Sequence, residues 1–440
     1  MKRTHVKVVV VRETADTPNW PCINHDANKE LKRIMAPLTA LNPDMDFDVV
    51  SYTNVQEAEA DYDNDLKIYD GVLVLLMTLW KGIDLFYARQ SKGGIPTIIA
   101  DVPYCGSGSA LVFSSSVIRA ENLPVPLLAT LNYNEIAHSV KIFDVLAKLK
   151  QTTILIISSR EDIIHSITQM QETWGFQYVL KNSKDVNEYL TRVDMTEAVK
   201  IAKCWCRDAI EIREASESDI MESAALHIAI RDMMKDTDAD AVTIDCLTLS
   251  YAGEYENGAH MYPCLSHFEM LNRGTVAVCE ADIPATVTSL IVQYLTDRPG
   301  FVSDPLIDTS SNQVIYAHCV GCTKVYGCKD ARTCQYAIRS HAEDNKGASV
   351  QIIFPLGEQV TTTIAYSSMA AIHSGKAVGN VGLQEACRSK LAAECDAQTL
   401  LDNWAPSGSW HRVTVYGDYR KLLMQLYKIK GLAIVEEDKE

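Results

Sequence analysis

The stretch Met-Tyr-Pro-Cys-Leu-Ser-His (261–267) decides the fold, because the chain changes character there. Before it, short apolar runs alternate with segments of helical spacing. After it, two helices are predicted at 262–273 and 283–296, followed by segments that alternate β-branched and polar residues. These segments lie at 313–318, 349–355, 360–366, 376–381 and 412–416. They are typical of an antiparallel sheet or barrel within an α+β region.

Upstream of this point the pattern predicts parallel sheets. Short apolar strands, such as Val6–Val11 and Gly71–Leu76, are separated by helices, and the same alternation starts again at Thr152. Strands that are apolar on both faces belong to a sheet covered by helices on both sides. We therefore expect an α/β fold with two doubly wound domains, 1–150 and 151–262, and a third α+β domain at 263–440.

Bulk composition limits the function. The chain has 440 residues, a formal charge of −16 and 13 cysteines. This charge argues against a nucleic-acid or anionic-membrane partner, because phosphate binding needs basic surface. The longest apolar run, Gly71–Trp80, is about half of the ~20 residues that a membrane span needs. Val6–Val11 reads as a first strand rather than a signal peptide, so we expect a cytoplasmic protein with free thiols.

Two acidic residues stand out next to the deciding stretch. Glu280 and Asp304 each end an apolar or tight-turn segment, where a carboxylate costs free energy unless it binds a metal, pairs or takes up a proton. With His318 and His411 downstream, they indicate a hard-cation site that supports acid–base chemistry. The plainer alternative is a helix start at Asp282 and a turn at Asp304, which precedes a proline.

A competing metal site is built from cysteines. Cys319 and Cys322 are followed by Cys328 and Cys334, and four thiolates would satisfy tetrahedral zinc. The usual second Cys-x-x-Cys pair is missing, which weighs against this reading.

Further candidates lie in loops. Gly-Ser-Gly-Ser (106–109) follows a predicted strand and is either an anion loop or a connecting turn. Trp20 follows the first strand, where it could stack on a sugar ring or cover the sheet edge. His341 belongs to a polar cluster that fits either a supporting shell or a solvated loop.

Several segments together resemble the L-fucose isomerase and L-arabinose isomerase superfamily, over roughly 262–418. They are Tyr-Pro-Cys-Leu (262–265), Cys-Glu-Ala-Asp (279–282), Asp-Arg-Pro (297–299) leading to Asp304, Ala-His-Cys (317–319), Arg-Ser-His-Ala-Glu-Asp (339–344) and Gly-Ser-Trp-His (408–411). Motifs that recur in the same order are far more specific than any one of them alone.

The resemblance implies a site and an architecture. The third domain would contain an antiparallel β-barrel, and the protein would be a homo-oligomer, a trimer or hexamer. Glu280 and Asp304 match the family's two metal-binding acids, and His411 matches its C-terminal histidine ligand. His318 matches a ligand of the arabinose branch. The ion would be Mn²⁺, or another divalent cation such as Co²⁺ or Mg²⁺, and we assign substrate binding to Trp20, Trp410 and His341.

The implied activity is aldose–ketose isomerisation of a monosaccharide, an intramolecular oxidation and reduction through an enediolate. Glu280 and Asp304 would share the roles of acid and base. The sugar would be L-fucose, a pentose or a modified hexose such as sulfoquinovose. The alternative is a sugar-binding or regulatory protein of the same fold without turnover.

Overall fold

The structure is a computed structural model that describes residues 2–20, 22–104, 108–251, 253–256, 260–405 and 411–439. Its residues form two compact units, Met1–Lys148 with Lys421–Ala433, and Leu149–Arg420 with Ile434–Glu440. No helix in the described ranges is both long and apolar enough to cross a membrane. The division into three domains stays a prediction.

The first unit contains a five-stranded parallel sheet in the order β2-β1-β3-β4-β5. Val8 and Val10 of β1 pack in one core, while Val9 and Val11 pack in another, so helices cover both faces of the sheet. This is the doubly wound arrangement that the sequence predicts. The elements are β1 (Thr4–Val11), α1 (Ala27–Leu41), β2 (Met45–Tyr52), α2 (Val55–Ile68), β3 (Gly71–Leu76), α3 (Ile83–Gln90), β4 (Thr97–Asp101), α4 (Gly108–Ala120), β5 (Leu127–Ala129) and α5 (Tyr133–Gln151).

The second unit begins with another parallel sheet, in the order β10-β9-β6-β7. Its strands are short; β6, β9 and β10 are buried, whereas the edge strand β7 is largely exposed. The elements are β6 (Thr153–Ile157), α6 (Ile163–Trp174), β7 (Gln177–Lys181), α7 (Ser183–Leu190), α8 (Met195–Asp208), β8 (Glu211–Ile212), α9 (Glu217–Asp236), β9 (Ala241–Ile244), α10 (Cys246–Tyr251), α11 (Cys264–Asn272), β10 (Val276–Cys279) and α12 (Ile283–Thr296).

The second unit continues into a closed antiparallel barrel. Six strands follow the order β15-β18-β11-β12-β17-β16, and pairing of β15 with β16 closes the ring. β19 extends the sheet beside β16, and β14, β13 and β8 form a small separate sheet. The remaining elements of this unit are β11 (Phe301–Asp308), β12 (Gln313–His318), β13 (Gln335–Arg339), β14 (Ser349–Ile353), β15 (Gln359–Ala365), β16 (Met369–Asn380), β17 (Ser389–Glu394), α13 (Ala397–Asp402), β18 (Arg412–Tyr416) and most of β19 (Ala433–Glu436). The helix α14 (Arg420–Ile429) belongs, apart from Arg420, to the first unit.

The parallel sheets and the antiparallel barrel are thus confirmed, but one local alternative is wrong. Asp304 does not lie in a turn. It lies within β11, where it pairs with Ala317 of β12.

Candidate metal centre

Glu280 leaves the carboxyl end of the parallel strand β10 in an unusual backbone conformation. Its φ is 65° and that of Ala281 is 50°, so two consecutive non-glycine residues lie in the left-handed region. The backbone N of Ala281 donates a hydrogen bond to the carbonyl O of Ile244 at the end of β9. Left-handed backbone at ordinary residues costs free energy and recurs at functional sites. The sharp turn lets the Glu280 side chain leave the sheet edge, where it is 28% exposed.

Asp304, His318 and His411 come from three neighbouring barrel strands. Asp304 on β11 pairs with Ala317, so His318 lies one residue further along β12. On the other side of β11, Ser303 pairs with Arg412, the first residue of β18, and His411 directly precedes it. Backbone pairing therefore brings the three residues next to one another, at the end of β12 and the start of β18.

The four side chains form one cluster. Each offers a ligand atom, and these atoms all lie within 4.8 Å of one another. The Nε2 atom of His411 is 3.2 Å from Oδ1 of Asp304 and 3.7 Å from Oε2 of Glu280. The Nε2 atom of His318 is 3.6 Å from Oε1 of Glu280. The two imidazoles are almost fully buried, whereas the two carboxylates are partly exposed.

The electrostatics of the cluster favour positive charge. Burial lowers the pKa of His411, but hydrogen bonds to Asp282 and Asp304, with the charges of Asp282 and Glu280, outweigh it and hold the pKa well above its usual range. His318 is also buried, and neither of its ring nitrogens has a hydrogen-bond partner among the described residues. A buried polar atom without a partner is costly, and a bound cation would satisfy Nε2 of His318.

The donor set fits a divalent cation. Two carboxylate oxygens and two imidazole nitrogens form a mixed donor set. This set suits Mn²⁺, Co²⁺ or Zn²⁺ better than a set of oxygen atoms alone would. Ligands about 2.1 Å from one ion lie about 3 Å apart at right angles and about 4 Å apart when opposite. The separations from 3.2 to 3.7 Å in the cluster fall within that span.

The four-cysteine alternative is not assembled. Cys319 and Cys322 are buried in one apolar core, Cys334 packs against another, and Cys328 is exposed. The cluster of metal-ligating side chains found in the described ranges contains no cysteine.

The cluster opens into a cleft of about 530 Å³ within the second unit. Glu280, Asp282 and His411 line one part of it, and the hairpin at Tyr366 lines another. Opposite them, the start of α6 and the loop before it contribute polar side chains, namely Arg160, Asp162, His165, Ser166 and Gln169. Such a volume is typical of sites for small molecules.

Comparisons with known proteins assign no family to the chain. No protein-family profile matches it, and no curated protein does. Among solved structures, it is similar to one described as a putative two-component system response regulator/GGDEF domain protein. That match has 11% identity, covers 66% of this chain and 97% of the other, and has a TM-score of 0.27. Such a score carries no argument about fold or function.

The predicted substrate-binding residues are distributed differently. Trp20 lies in the first unit and is 64% exposed. His341 is buried, and its ring stacks on Tyr262 with centroids 3.7 Å apart. Trp410, Gly106 and Ser107 lie outside the described residues, whereas Gly108 and Ser109 begin α4. The assignment of Trp20, Trp410 and His341 to substrate binding stays a prediction.

Sequence reasoning missed a supporting role for Asp282. It predicts Asp282 as the N-cap of α12, which is confirmed by the hydrogen bond that Oδ1 accepts from the backbone N of Ala285 at 2.8 Å. The same carboxylate also reaches Nδ1 of His411 through Oδ2, at 2.8 Å. Spacing gives no signal for this contact, because His411 lies far along the chain.

A second missed feature is a thiol–imidazole cluster beside His318. A hydrogen bond to Cys387 and another to His341 lower the pKa of the buried Cys319 thiol, against the effect of burial. The same cluster raises the pKa of His341 although its burial lowers it. Cys387 and His341 are distant in sequence from Cys319, so only the fold reveals the group.

Proposed function

We propose that this protein is a metal-dependent aldose–ketose isomerase of the L-fucose isomerase-like kind, acting on a monosaccharide. The observation that carries the proposal is the cluster of Glu280, Asp304, His318 and His411. Its two carboxylates are partly exposed, two of its side chains face a cleft of about 530 Å³, and its two imidazoles are held in buried positions. A site that only binds a structural ion needs no such access to a cleft.

The chemistry follows from these side chains. Isomerisation moves a proton between C1 and C2 of the open-chain sugar, so one group must take the proton and another must return it. Glu280 and Asp304 are the carboxylates placed for these roles. When bound, a divalent ion such as Mn²⁺ supplies Lewis-acid stabilisation of the negative charge that develops on the sugar oxygens. His318 and His411 would hold it together with the two acids.

The cleft supports a polyhydroxylated ligand. His165, Ser166 and Gln169 on the first turns of α6 offer donors and acceptors that match sugar hydroxyls. Arg160 is shared between Asp162 and Asp245, whose carboxylate oxygens lie 3.6 and 3.5 Å from its Nε atom. This pairing offsets its charge, which suits a neutral sugar better than an anionic one.

Homo-oligomerisation and Mn²⁺ as the bound ion belong to the same proposal, and both rest on the resemblance described above. The experiment below tests which monosaccharide is the substrate: L-fucose, a pentose or a modified hexose.

The test is an isomerisation assay. The purified protein is stripped with chelator, reloaded with Mn²⁺, and given L-fucose, D-arabinose, L-arabinose, L-rhamnose and sulfoquinovose in heavy water. We expect a ketose, or deuterium at C2, only when metal is present. Tight sugar binding without exchange, and without a need for metal, would instead favour the sugar-binding protein of the same fold.

A further inference from the structure

The carboxylate of Glu437 accepts hydrogen bonds from residues on both sides of His411 in the sequence. Glu437 follows β19 and its side chain is fully buried. Its Oε1 accepts a hydrogen bond from the backbone N of Ala405 at 3.0 Å and another from Nη2 of Arg412 at 2.7 Å. Ala405 precedes His411 in the chain and Arg412 follows it. One oxygen atom therefore binds the main chain before a predicted metal ligand and the side chain of the residue after it.

Arg412 in turn holds the main chain of His411. Its Nη1 atom donates a hydrogen bond to the backbone O of His411 at 3.0 Å. The guanidinium carbon lies 3.9 Å from the centroid of the Trp404 ring, so the planar group is held from its face as well as its edge. The main chain of His411 is thus held by Arg412, while its ring is held by Asp282.

Hydrogen bonds to the barrel fix the position of Glu437. Its backbone N donates to the carbonyl O of Ile372 on β16 at 3.0 Å, and the carboxylate of Asp438 accepts from the backbone N of Ser374 at 3.0 Å. The Glu437 carboxylate therefore projects from a segment that is itself bonded to a barrel strand.

The remaining oxygen of Glu437 is also satisfied. Nδ1 of His373 lies 2.8 Å from Oε2, and the hydroxyl of Tyr316 lies 2.7 Å from Nε2 of His373. Thr362 in turn donates to the Tyr316 hydroxyl. Burial raises the pKa of Glu437, but hydrogen bonds to His373 and Arg412 outweigh it and bring the pKa to about 2. Glu437 is therefore ionised at neutral pH.

Stability alone does not account for a buried ion pair of this kind. Packed apolar residues of similar volume often stabilise a fold as much as a buried ion pair does, but only the ion pair fixes one arrangement of its partners. The geometry fixed here is the position of the Arg412 side chain, at the start of β18, relative to the Glu437 segment, which is bonded to β16.

We propose that Glu437 is a positioning residue for the metal centre, which acts through Arg412 to hold the main chain of His411 where its ring and Asp304 can bind one cation. This inference rests on the proposed function in one respect, that His411 is a metal ligand. Glu437 itself touches neither the cation nor the sugar.

The test compares Mn²⁺ affinity in full-length variants by calorimetric titration. Glu437→Gln keeps the side-chain volume but removes the charge that Arg412 needs. We expect Mn²⁺ to bind about 10–100-fold more weakly, the usual effect of losing an outer-shell partner. Arg412→Lys should act in the same way, because an ammonium cannot bond the His411 carbonyl and both Glu437 oxygens in one plane.

Tyr316→Phe is the matched control. It removes a hydroxyl from the same buried network without touching Arg412, so it should lower the melting temperature and leave Mn²⁺ affinity unchanged. If folded Glu437→Gln binds Mn²⁺ as tightly as the unmodified protein, or if Tyr316→Phe weakens binding equally, the positioning role is overturned.

A second measurement separates this inference from the proposed function. Hydrogen–deuterium exchange of the metal-free proteins is followed at the backbone amides of 411–416. Faster exchange in Glu437→Gln than in Tyr316→Phe supports the positioning role, and equal exchange overturns it. If the unmodified protein binds no Mn²⁺, the proposed function fails, and the exchange result still decides whether Glu437 positions His411.

Discussion

The side chain of Asp282 connects the start of α12 to His411. Its Oδ2 lies 2.8 Å from Nδ1 of His411, and its Oδ1 accepts the hydrogen bond that caps the helix. The Nε2 atom of His411 is thereby turned towards Asp304 and Glu280. A carboxylate on the second ring nitrogen fixes the tautomer of a metal-binding histidine and raises its basicity. The helix cap and the orientation of the ligand thus depend on one residue.

Asp282→Asn should separate these two roles. Asparagine is as good an N-cap as aspartate, so the fold and the melting temperature should change little. The negative charge of the Asp282 carboxylate beside Nδ1 of His411 is lost, and Mn²⁺ affinity should fall about 10–100-fold in a calorimetric titration. Asp396→Asn is the control, because Asp396 caps α13 through the backbone N of Thr399. Equal affinities in the two variants would contradict the role given to Asp282.

Glu280→Gln should abolish isomerisation and leave the protein folded. The amide has nearly the volume of the carboxylate but cannot take up the sugar proton, and general acid–base groups contribute about 10²–10⁴-fold to rate. The measurement is ketose formation at saturating Mn²⁺, with circular dichroism as the check on folding. Glu394→Gln, which changes an exposed glutamate of β17, should keep full activity. Full activity in Glu280→Gln would remove Glu280 from the mechanism.

The left-handed turn at Ala281 predicts a specific order of stabilities. Ala281 is buried, with φ of 50°, where a β-branched side chain is strongly disfavoured. Ala281→Val should therefore lower the free energy of unfolding by about 1–3 kcal/mol. Ala281→Gly should change it by less than about 1 kcal/mol, because glycine adopts this conformation without strain. Urea unfolding checks the order, and equal losses in both variants would show that backbone strain is not the cause.

The low pKa of Glu437 predicts a loss of stability in acid. Its folded pKa, about 2, is below the usual value of 4.5, so its contribution is present above about pH 4.5 and is lost as the pH falls towards 2. The melting temperature of the unmodified protein should fall across this window. That of Glu437→Gln should start lower and fall less steeply, since the variant has no carboxyl group to protonate there. Parallel curves would contradict this assignment.

Thiol modification should leave the metal centre intact. Iodoacetamide under native conditions should reach the exposed thiols of Cys22, Cys204 and Cys328, whereas burial raises the pKa of Cys322 to about 12 and protects it. Mn²⁺ affinity should be unchanged after this treatment. Stoichiometric release of zinc or iron on alkylation would instead support the cysteine site.

The sequence predicts the parallel part of the fold better than the barrel. Val6–Val11 is an apolar run on its own, and it lies inside β1. β11 was not predicted, because Pro305 lacks a backbone donor and reads as a turn residue. β17 was not predicted either, since Ser-Lys-Leu-Ala-Ala-Glu (389–394) has no β-branched residue. Both are strands because their neighbours in the barrel pair with them, and the pairings of β11 with β18 and of β17 with β12 are long-range.

The sequence also predicts only part of the candidate site. The sequence names Glu280, Asp304, His318 and His411, and the fold brings them together. It does not predict the left-handed backbone at Glu280, which depends on how the chain leaves β10. Nor does it predict the contact of Asp282 with His411, which joins two segments from different sheets.

The ladder that carries Asp304, His318 and His411 makes this site sensitive to insertions as well as to substitutions. A single residue added between Ser303 and Asp304 would slip the register by one step and turn the Asp304 side chain to the opposite face of the barrel wall. The barrel would still close. Under the proposed function, relatives that keep the fold without turnover should therefore be recognisable by a change in the length of β11, even where Glu280, Asp304, His318 and His411 all remain.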